Sequence, residues 1–260
     1  MSRNALKNIS RLIDLEERPI EEAFLSDLKR SIEITEESTW GALPSKTFKP
    51  SSMQCPRNSY YQIVGASTDV GQASYNMVGI CNSGSDIHVR IQTAIIGMKK
   101  NGMDCEWVDV EKFVKRRELN DLVIRSKTDT ETKLLNTKYN ISFMCDGIIK
   151  YKNKYYIVEL KTETANKWYS RQEVDPKHYN QAIAYSLSFK LNDVLFVYIS
   201  RDMLDMKCYH YVVTDDMRNS LVGYIEDVNK YVKIQSPPPK IDSKRICQYC
   251  NYSQQCKKDG

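Results

Sequence analysis

The chain has 260 residues, of which 41% are hydrophobic and 27% charged, with a net charge of +5. That composition fits one large globular domain, or one domain with elaborations, and excludes a disordered or fibrous chain. The longest apolar runs, such as Val194 to Ile199, fall far short of the roughly 20 residues a membrane-spanning helix needs, and the N-terminus lacks an apolar secretory segment, so no membrane role and a cytoplasmic location are expected.

Residues 4–36 read as helix, with Leu6, Ile9, Leu12 and Ile13 on one face, a break at Pro19 and a second stretch from Ile20 to Ile34. Residues 1–38 carry six Lys/Arg against nine Asp/Glu, which leaves +8 on the remainder, a balance suited to a polyanionic partner. Residues 37–58 read as an extended connection containing Cys55. Ser83, Gly84, Ser85 and Asp86 resemble a cap for a helix in which Ile87, Ile91, Ile95 and Met98 recur at helical spacing, with His88 and Gln92 one step round. Residues 139–161 give the clearest strand signal, interrupted at Lys152-Asn153, and predict a β-hairpin. Asp175 followed by Pro176 predicts a capped helix through about Leu191; residues 194–200 and 206–214 predict two strands; and Asp215 to about Val232 predicts a final helix. Pro237 to Pro239 form a stiff spacer before a cysteine-rich tail.

The hairpin carries the first chemical signal. With Lys152 and Asn153 as the turn, paired residue numbers sum to 305, and Asp146 falls directly opposite Glu159. Like charges so placed repel, and the pair calls for a cation between them. Period-2 alternation puts Ile157, Glu159 and Lys161 on one face and Val158 and Leu160 on the other. Two carboxylates beside an ammonium suit Mg²⁺ or Mn²⁺ and an attacking water. Gln181 and Tyr185 share a helix face after the hairpin, where an amide and a phenol can serve phosphate oxygens or a base.

Eight cysteines in a cytosolic-looking chain argue against a disulfide framework. Cys81, Cys105, Cys145 and Cys208 are scattered among apolar neighbours and read as small core residues. Cys247, Cys250 and Cys256 supply three thiolates that need a fourth ligand, and Cys55 stands far upstream before a proline. Ligand softness leaves zinc and an iron-sulfur cluster both open.

The Asp146, Glu159, Lys161 spacing on a hairpin resembles the PD-(D/E)XK nucleases, and Gln181-x3-Tyr185 resembles the QxxxY pattern of the RecB-like group. His88 matches the metal-ligating histidine of that group. One distant Cys-Pro with three clustered cysteines is similar to its cluster-bearing members, the AddB nuclease domain and the CRISPR adaptation nuclease called Cas-four. The resemblance runs from about residue 50 to 258; it covers neither the N-terminal helices nor a helicase motor, and no GxxxxGK[ST] motif is present.

This resemblance implies an α/β, restriction-endonuclease-like domain with a central mixed sheet flanked by helices. Its parts would be an N-terminal helical elaboration (1–38), a nuclease core (39–236) and a cysteine cluster region (237–260). It further implies Mg²⁺ or Mn²⁺ on His88, Asp146 and Glu159, with Lys161, Gln181 and Tyr185 completing the catalytic set. One four-iron four-sulfur cluster on Cys55, Cys247, Cys250 and Cys256 is implied too, with zinc as the alternative. The activity implied is exonucleolytic hydrolysis of DNA, on single strands or ends, in recombination, repair or CRISPR spacer processing, with proteins of those pathways as possible partners. The rival readings are a catalytically silent DNA-binding module and a zinc-ribbon interaction protein.

Overall fold

The computed structural model describes residues 19–40, 46–69, 74–128, 130–248 and 250–259. The chain divides into two compact units, residues 1–43 with 70–82, and residues 44–69 with 83–260. The expected helix over residues 4–18 lies outside the described residues.

In the first unit, Pro19 stands just before the second predicted helical stretch. Its carbonyl accepts the N–H groups of Glu22 and Ala23, and helix α1 runs Ile20–Trp40, six residues beyond the predicted Ile34. Glu33 Oε1 accepts the backbone N–H of Tyr75 at 3.3 Å.

The second unit holds a central mixed sheet flanked by helices, which fits the restriction-endonuclease-like class. Its strands are β1 (Cys105–Val108), β5 (Gly147–Tyr151), β6 (Lys154–Glu163), β7 (Asp193–Ser200) and β8 (Met206–Val212), in the order β1-β5-β6-β7-β8. Only β6 and β7 pair in parallel. A parallel pair needs a crossover, supplied here by α5 (Ala165–Ser170), a 3-10 turn at Pro176–His178 and α6 (Tyr179–Phe189). A second sheet of three antiparallel strands comprises β2 (Leu122–Lys127), β3 (Thr132–Asn136) and β4 (Ile141–Cys145). The remaining helices are α2 (Pro56–Val64), α3 (Tyr75–Gly97), α4 (Val110–Arg116), α7 (Asp215–Lys233), α8 (Lys244–Cys247) and α9 (Ser253–Lys258).

The β5/β6 hairpin has the register the sequence implies, from Tyr151 opposite Lys154 to Gly147 opposite Val158. Lys152 and Asn153 both have positive φ (46° and 64°), the conformation of a two-residue turn that matches strand twist. Alternation then sorts β6. Ile157 joins the larger core with Ile148, Val194 and Phe196, while Val158 and Leu160 join a smaller core closed by Ile87, Ile91 and Ile95 of α3 and by Met98 just after it.

Three expectations need correction. Ser83 to Asp86 do not start a helix; they lie inside α3. Their small side chains have a packing reason, because a Cβ on Gly84 would stand 3.3 Å from Thr162 Oγ1 on β6. Residues 37–58 are only partly an extended connection: α1 continues to Trp40, and buried Phe48 bridges β4 through Phe48 N–H to Asn140 O and Ser142 N–H to Phe48 O, both 2.9 Å. The stretch 139–151 is not one strand, since β4 and β5 belong to different sheets and part at Asp146. The Asp175 cap holds as read, its side chain accepting Lys177 N–H at the 3-10 turn before α6, and Thr214 caps α7 by accepting Met217 N–H.

The residue after the sheet switch must be glycine. A Cβ on Gly147 would sit 2.2 Å from Trp107 Cη2 and 2.7 Å from its Cζ3, too close for any side-chain atom. Overpacking of this kind costs about 1–3 kcal/mol. Urea unfolding of Gly147→Ala should show a loss in that range, partly recovered by Trp107→Leu in the same chain; an unchanged midpoint in Gly147→Ala would disprove the contact.

Candidate active site

The site forms where the chain changes sheets. Asp146 lies outside both ladders, so the expected direct pairing with Glu159 does not form, and the ladder stops one pair short, at Gly147 and Val158. With no strand partner, Asp146 is free to turn its carboxylate, and Oδ2 accepts the backbone N–H of Leu160 at 2.7 Å. Gln92, fully buried on α3, fixes the peptide by donating from Nε2 to Asp146 O at 2.7 Å and to Thr130 O at 3.2 Å. One helical step away, His88 Nδ1 stands 3.5 Å from Asp146 Oδ1.

Glu159 is 3% exposed and Asp146 7%. Lys161 reaches back along β6 to Glu159 Oε1 at 2.5 Å, whereas Glu159 Oε2 is buried with no hydrogen-bond partner. Burial pushes the Glu159 carboxyl up to about 7; Lys161 opposes this and Asp146 adds to it. Burial pulls the His88 imidazolium down, but the adjacent Asp146 carboxylate outweighs it and the net shift is upward.

Glu131, just before β3, was not a sequence candidate. Half-buried, it is pushed up by burial and then by Asp146. His88, Glu131 and Asp146 each bring one ligand atom within 4.8 Å of the others. Glu131 sits in a polar stretch, Thr128 to Thr132, with no periodicity to single it out; only the meeting of the two sheets brings it to Asp146.

Tyr185 is 3% exposed. Its ring lies against Phe143 at 5.0 Å and its hydroxyl donates to Met144 O at 2.9 Å, so it holds the backbone two residues before Asp146. Burial first, then Glu159 and Asp146, raise its phenol well above the ordinary value, and Gln181 acts in the opposite direction. The pair expected on one helix face is thus together, with Tyr185 turned inward.

The cysteine tail returns to the start of α2. Cys55 is the extended N-cap residue of that helix, with Pro56 in its first turn. Burial raises its thiol, the N–H groups of Asn58 and Arg57 act against this, and Cys250 and Cys247 lie near enough to add to the rise. Asn58 Nδ2 reaches Cys250 Sγ, and Arg57 Nη1 reaches Cys256 Sγ, each at 3.5 Å. Buried Arg57 also donates from Nε to Pro238 O at 2.7 Å, and Tyr61 donates to Asp259 Oδ2 at 2.7 Å. The four thiols are nevertheless not gathered as tightly as the ligand atoms of His88, Glu131 and Asp146, which form the compact metal-type group among the described residues. Of the remaining cysteines, Cys105 and Cys145 are buried as expected, but Cys81 and Cys208 are exposed.

No family model and no curated protein matches the chain. Among solved structures it is similar to SSO0001, with a TM-score of 0.48 and 18% identity over 90% of this chain and 96% of that one. It is also similar to LHK-Exo in complex with dAMP, with a TM-score of 0.45 and 10% identity over 73% and 89% of the two chains. A further structure of LHK-Exo, an alkaline exonuclease from Laribacter hongkongensis, gives 0.38 and 10% over 74% and 90%. Likeness at this level says nothing of chemistry, which rests on the geometry of the residues themselves. No described helix is long and apolar enough to cross a membrane.

Three convergent N and O ligand atoms fit a divalent cation; Glu159, expected among the ligands, is not part of that compact group, though its buried Oε2 has no partner. Mn²⁺ should raise the Tm of the wild type, by an amount equivalent to about 2.7 kcal/mol at a hundredfold excess over Kd, with EDTA reversing the rise. Asp146→Asn should remove the response while keeping metal-free stability, and Glu131→Gln should weaken Mn²⁺ binding by about tenfold. A wild-type response in Asp146→Asn would remove that residue from the site.

Proposed function

We propose that the chain is a metal-dependent deoxyribonuclease of the PD-(D/E)XK class that hydrolyses phosphodiester bonds. The observation that carries this reading is the convergence of His88, Glu131 and Asp146 where the two sheets part, with the Lys161-paired Glu159 near enough to feel the Asp146 charge and its Oε2 buried and unpartnered. His88, Asp146 and Glu159, joined by Glu131, would hold one Mg²⁺ or Mn²⁺. Such an ion supplies Lewis-acid polarisation of the phosphoryl oxygen and lowers the pKa of water.

The chain's own residues do the rest. Lys161 offers three N–H donors, one engaged by Glu159 Oε1, which leaves two to orient a water and to balance charge on the phosphoryl oxygens. The Leu160 N–H holds one Asp146 oxygen and so aims the other toward His88. Tyr185 and Gln92 fix the backbone on either side of Asp146 and position it without touching substrate. A silent DNA-binding module would have no need of this buried charge, which costs stability.

The exonuclease activity on single strands or ends, and a role in recombination, repair or CRISPR spacer processing, follow from the RecB-like resemblance. So does the four-iron four-sulfur cluster on Cys55, Cys247, Cys250 and Cys256. Its local support is that Cys250 and Cys247 lie near enough to Cys55 to act on its thiol, and that Asn58 and Arg57 direct donors at the Cys250 and Cys256 sulfurs. A single zinc ion would need the four sulfurs drawn in to bonds of about 2.3 Å, tighter than they lie here.

The test is labelled linear and closed circular single-stranded DNA, with and without Mn²⁺. Cleavage should require metal and favour the linear form. Asp146→Ala, Glu159→Ala and Lys161→Ala should each lower the rate by at least about a hundredfold; wild-type cleavage by Asp146→Ala would refute the assignment. For the cluster, anaerobically purified protein should be brown, and Cys55→Ser or Cys250→Ser should bleach it while Cys208→Ser does not. Colourless protein holding one zinc ion would favour the zinc-ribbon alternative.

A further inference from the structure

Two residues beyond Lys161 on β6, and on the same face, stands a second charged centre. Glu163 is 4% exposed and is gripped by Arg171 through Nε at 2.7 Å and Nη2 at 2.5 Å. Lys167 Nζ lies 3.2 Å from the same carboxylate. Asp175, 6% exposed, faces four cations: Arg171 at 3.4 Å, Lys167 at 3.5 Å, Arg245 at 3.5 Å and Lys177 at 3.7 Å. Two buried carboxylates against four cations leave an excess of two positive charges.

Arg171 is committed to Glu163, and Asp175 is itself engaged by the Lys177 backbone N–H. Lys167, Lys177 and Arg245 approach Asp175 at ion-pair distance, beyond the range of a good hydrogen bond. Their side chains are 43%, 41% and 75% exposed and border a cavity of about 490 Å³, alongside Ser51, Gln54 and Asn58. Lys177 is held down to about 8, by burial first and then by Lys167 beside it. An anion in the cavity would relieve that repulsion and use the donors Asp175 leaves over. The distance along β6 from Lys161 to Glu163 is about 6.6 Å, so the cluster adjoins the candidate active site.

We propose that Lys167, Lys177 and Arg245, gathered over buried Asp175, form a subsite for phosphate groups of a DNA strand adjoining the metal site. The identity of the strand rests on the nuclease reading; the affinity for phosphate does not. Asp175 and Glu163 preorganise the three cations, and the hydroxyl of Ser51 and the amides of Gln54 and Asn58 supply neutral donors nearby.

The test uses the full chain in EDTA, so that no cleavage is needed, with fluorescein-labelled single-stranded oligonucleotide followed by anisotropy across a salt series. Lys167→Gln/Lys177→Gln/Arg245→Gln should raise Kd by at least about tenfold and flatten the log Kd against log salt slope by about 2, the release expected for three phosphate contacts on a single strand. Unchanged Kd and slope would overturn the subsite. Should the triple variant fold poorly, Arg245→Gln, at the exposed end of the cluster, and the charge-keeping Lys167→Arg/Lys177→Arg replace it; the first should weaken binding and the second retain it. Inorganic phosphate, at matched ionic strength and fixed metal content, should compete with the oligonucleotide and raise the wild-type Tm, and failure in both respects again overturns the proposal. Comparing 5′-phosphate with 5′-hydroxyl oligonucleotides identifies the source. A preference lost in the variant assigns the site to a terminal phosphate, and equal binding that falls together assigns it to backbone phosphodiesters. With Mn²⁺ added, a chain that binds in this way but never cuts sinks the nuclease reading alone, while one that cuts with an unaltered KM in the triple variant sinks the subsite alone.

Discussion

Two carboxylates buried beside each other are the constraint on which this site depends. Asp146 and Glu159 are nearly closed to solvent, and one Glu159 oxygen meets no donor. An unpaired buried charge costs several kcal/mol, and a protein carries that cost where a cation or a reaction uses it. The neighbours meet part of the demand: the Leu160 N–H holds one Asp146 oxygen, Lys161 holds one Glu159 oxygen, and His88 faces the other Asp146 oxygen. What remains is an unmatched Glu159 oxygen and, on Asp146, a carboxylate gathered with His88 and half-buried Glu131, an arrangement that suits a hard divalent ion.

The sheet switch makes this placement possible. Had residues 141–151 continued as one strand, the Asp146 carboxylate would have stood at a ladder position, its peptide bound to a neighbour and its side chain facing Glu159 in unrelieved repulsion. Parting β4 from β5 at this residue turns the carboxylate onto Leu160 instead. The bare Gly147 then lets Trp107 close over the next peptide. Close approach recurs further along β6, where Gly84 brings α3 against Thr162 and sets His88 and Gln92, four and eight residues further on, beside Asp146.

The hairpin was legible because its information is local. A two-residue turn and period-2 alternation fix the register of β5 and β6, and hence the face shared by Glu159 and Lys161. Helical spacing likewise identified Ile87, Ile91, Ile95 and Met98 as one stripe packed into the smaller core, and Asp175-Pro176 as a cap. Interactions distant in sequence were not legible. Ser83 to Asp86 have the composition of a cap, yet they serve a helix that runs past a strand almost 80 residues later. Glu131 shows no pattern in the chain and joins the site only when the two sheets meet. The central place of Asp146 was readable, but its release from the ladder was not, because nothing local says that one continuous β-rich run will divide between two sheets.

The charges of the site are protected by the position of the strand that bears them. β6 carries Glu159, Lys161 and Glu163 at every second residue, while Val158, Leu160 and Thr162 face α3. A slip of one residue would drive three charged side chains into an apolar core and bring two aliphatic ones to the polar face. The strand is held antiparallel to β5 from Lys154 to Val158 and parallel to β7 from Ile157 to Glu163, so a slip would also break both of these ladders. The hydrophobic effect on one face thereby holds a row of ionisable groups in register on the other, and the candidate metal site and the cation cluster around Glu163 and Asp175 share that strand as their support.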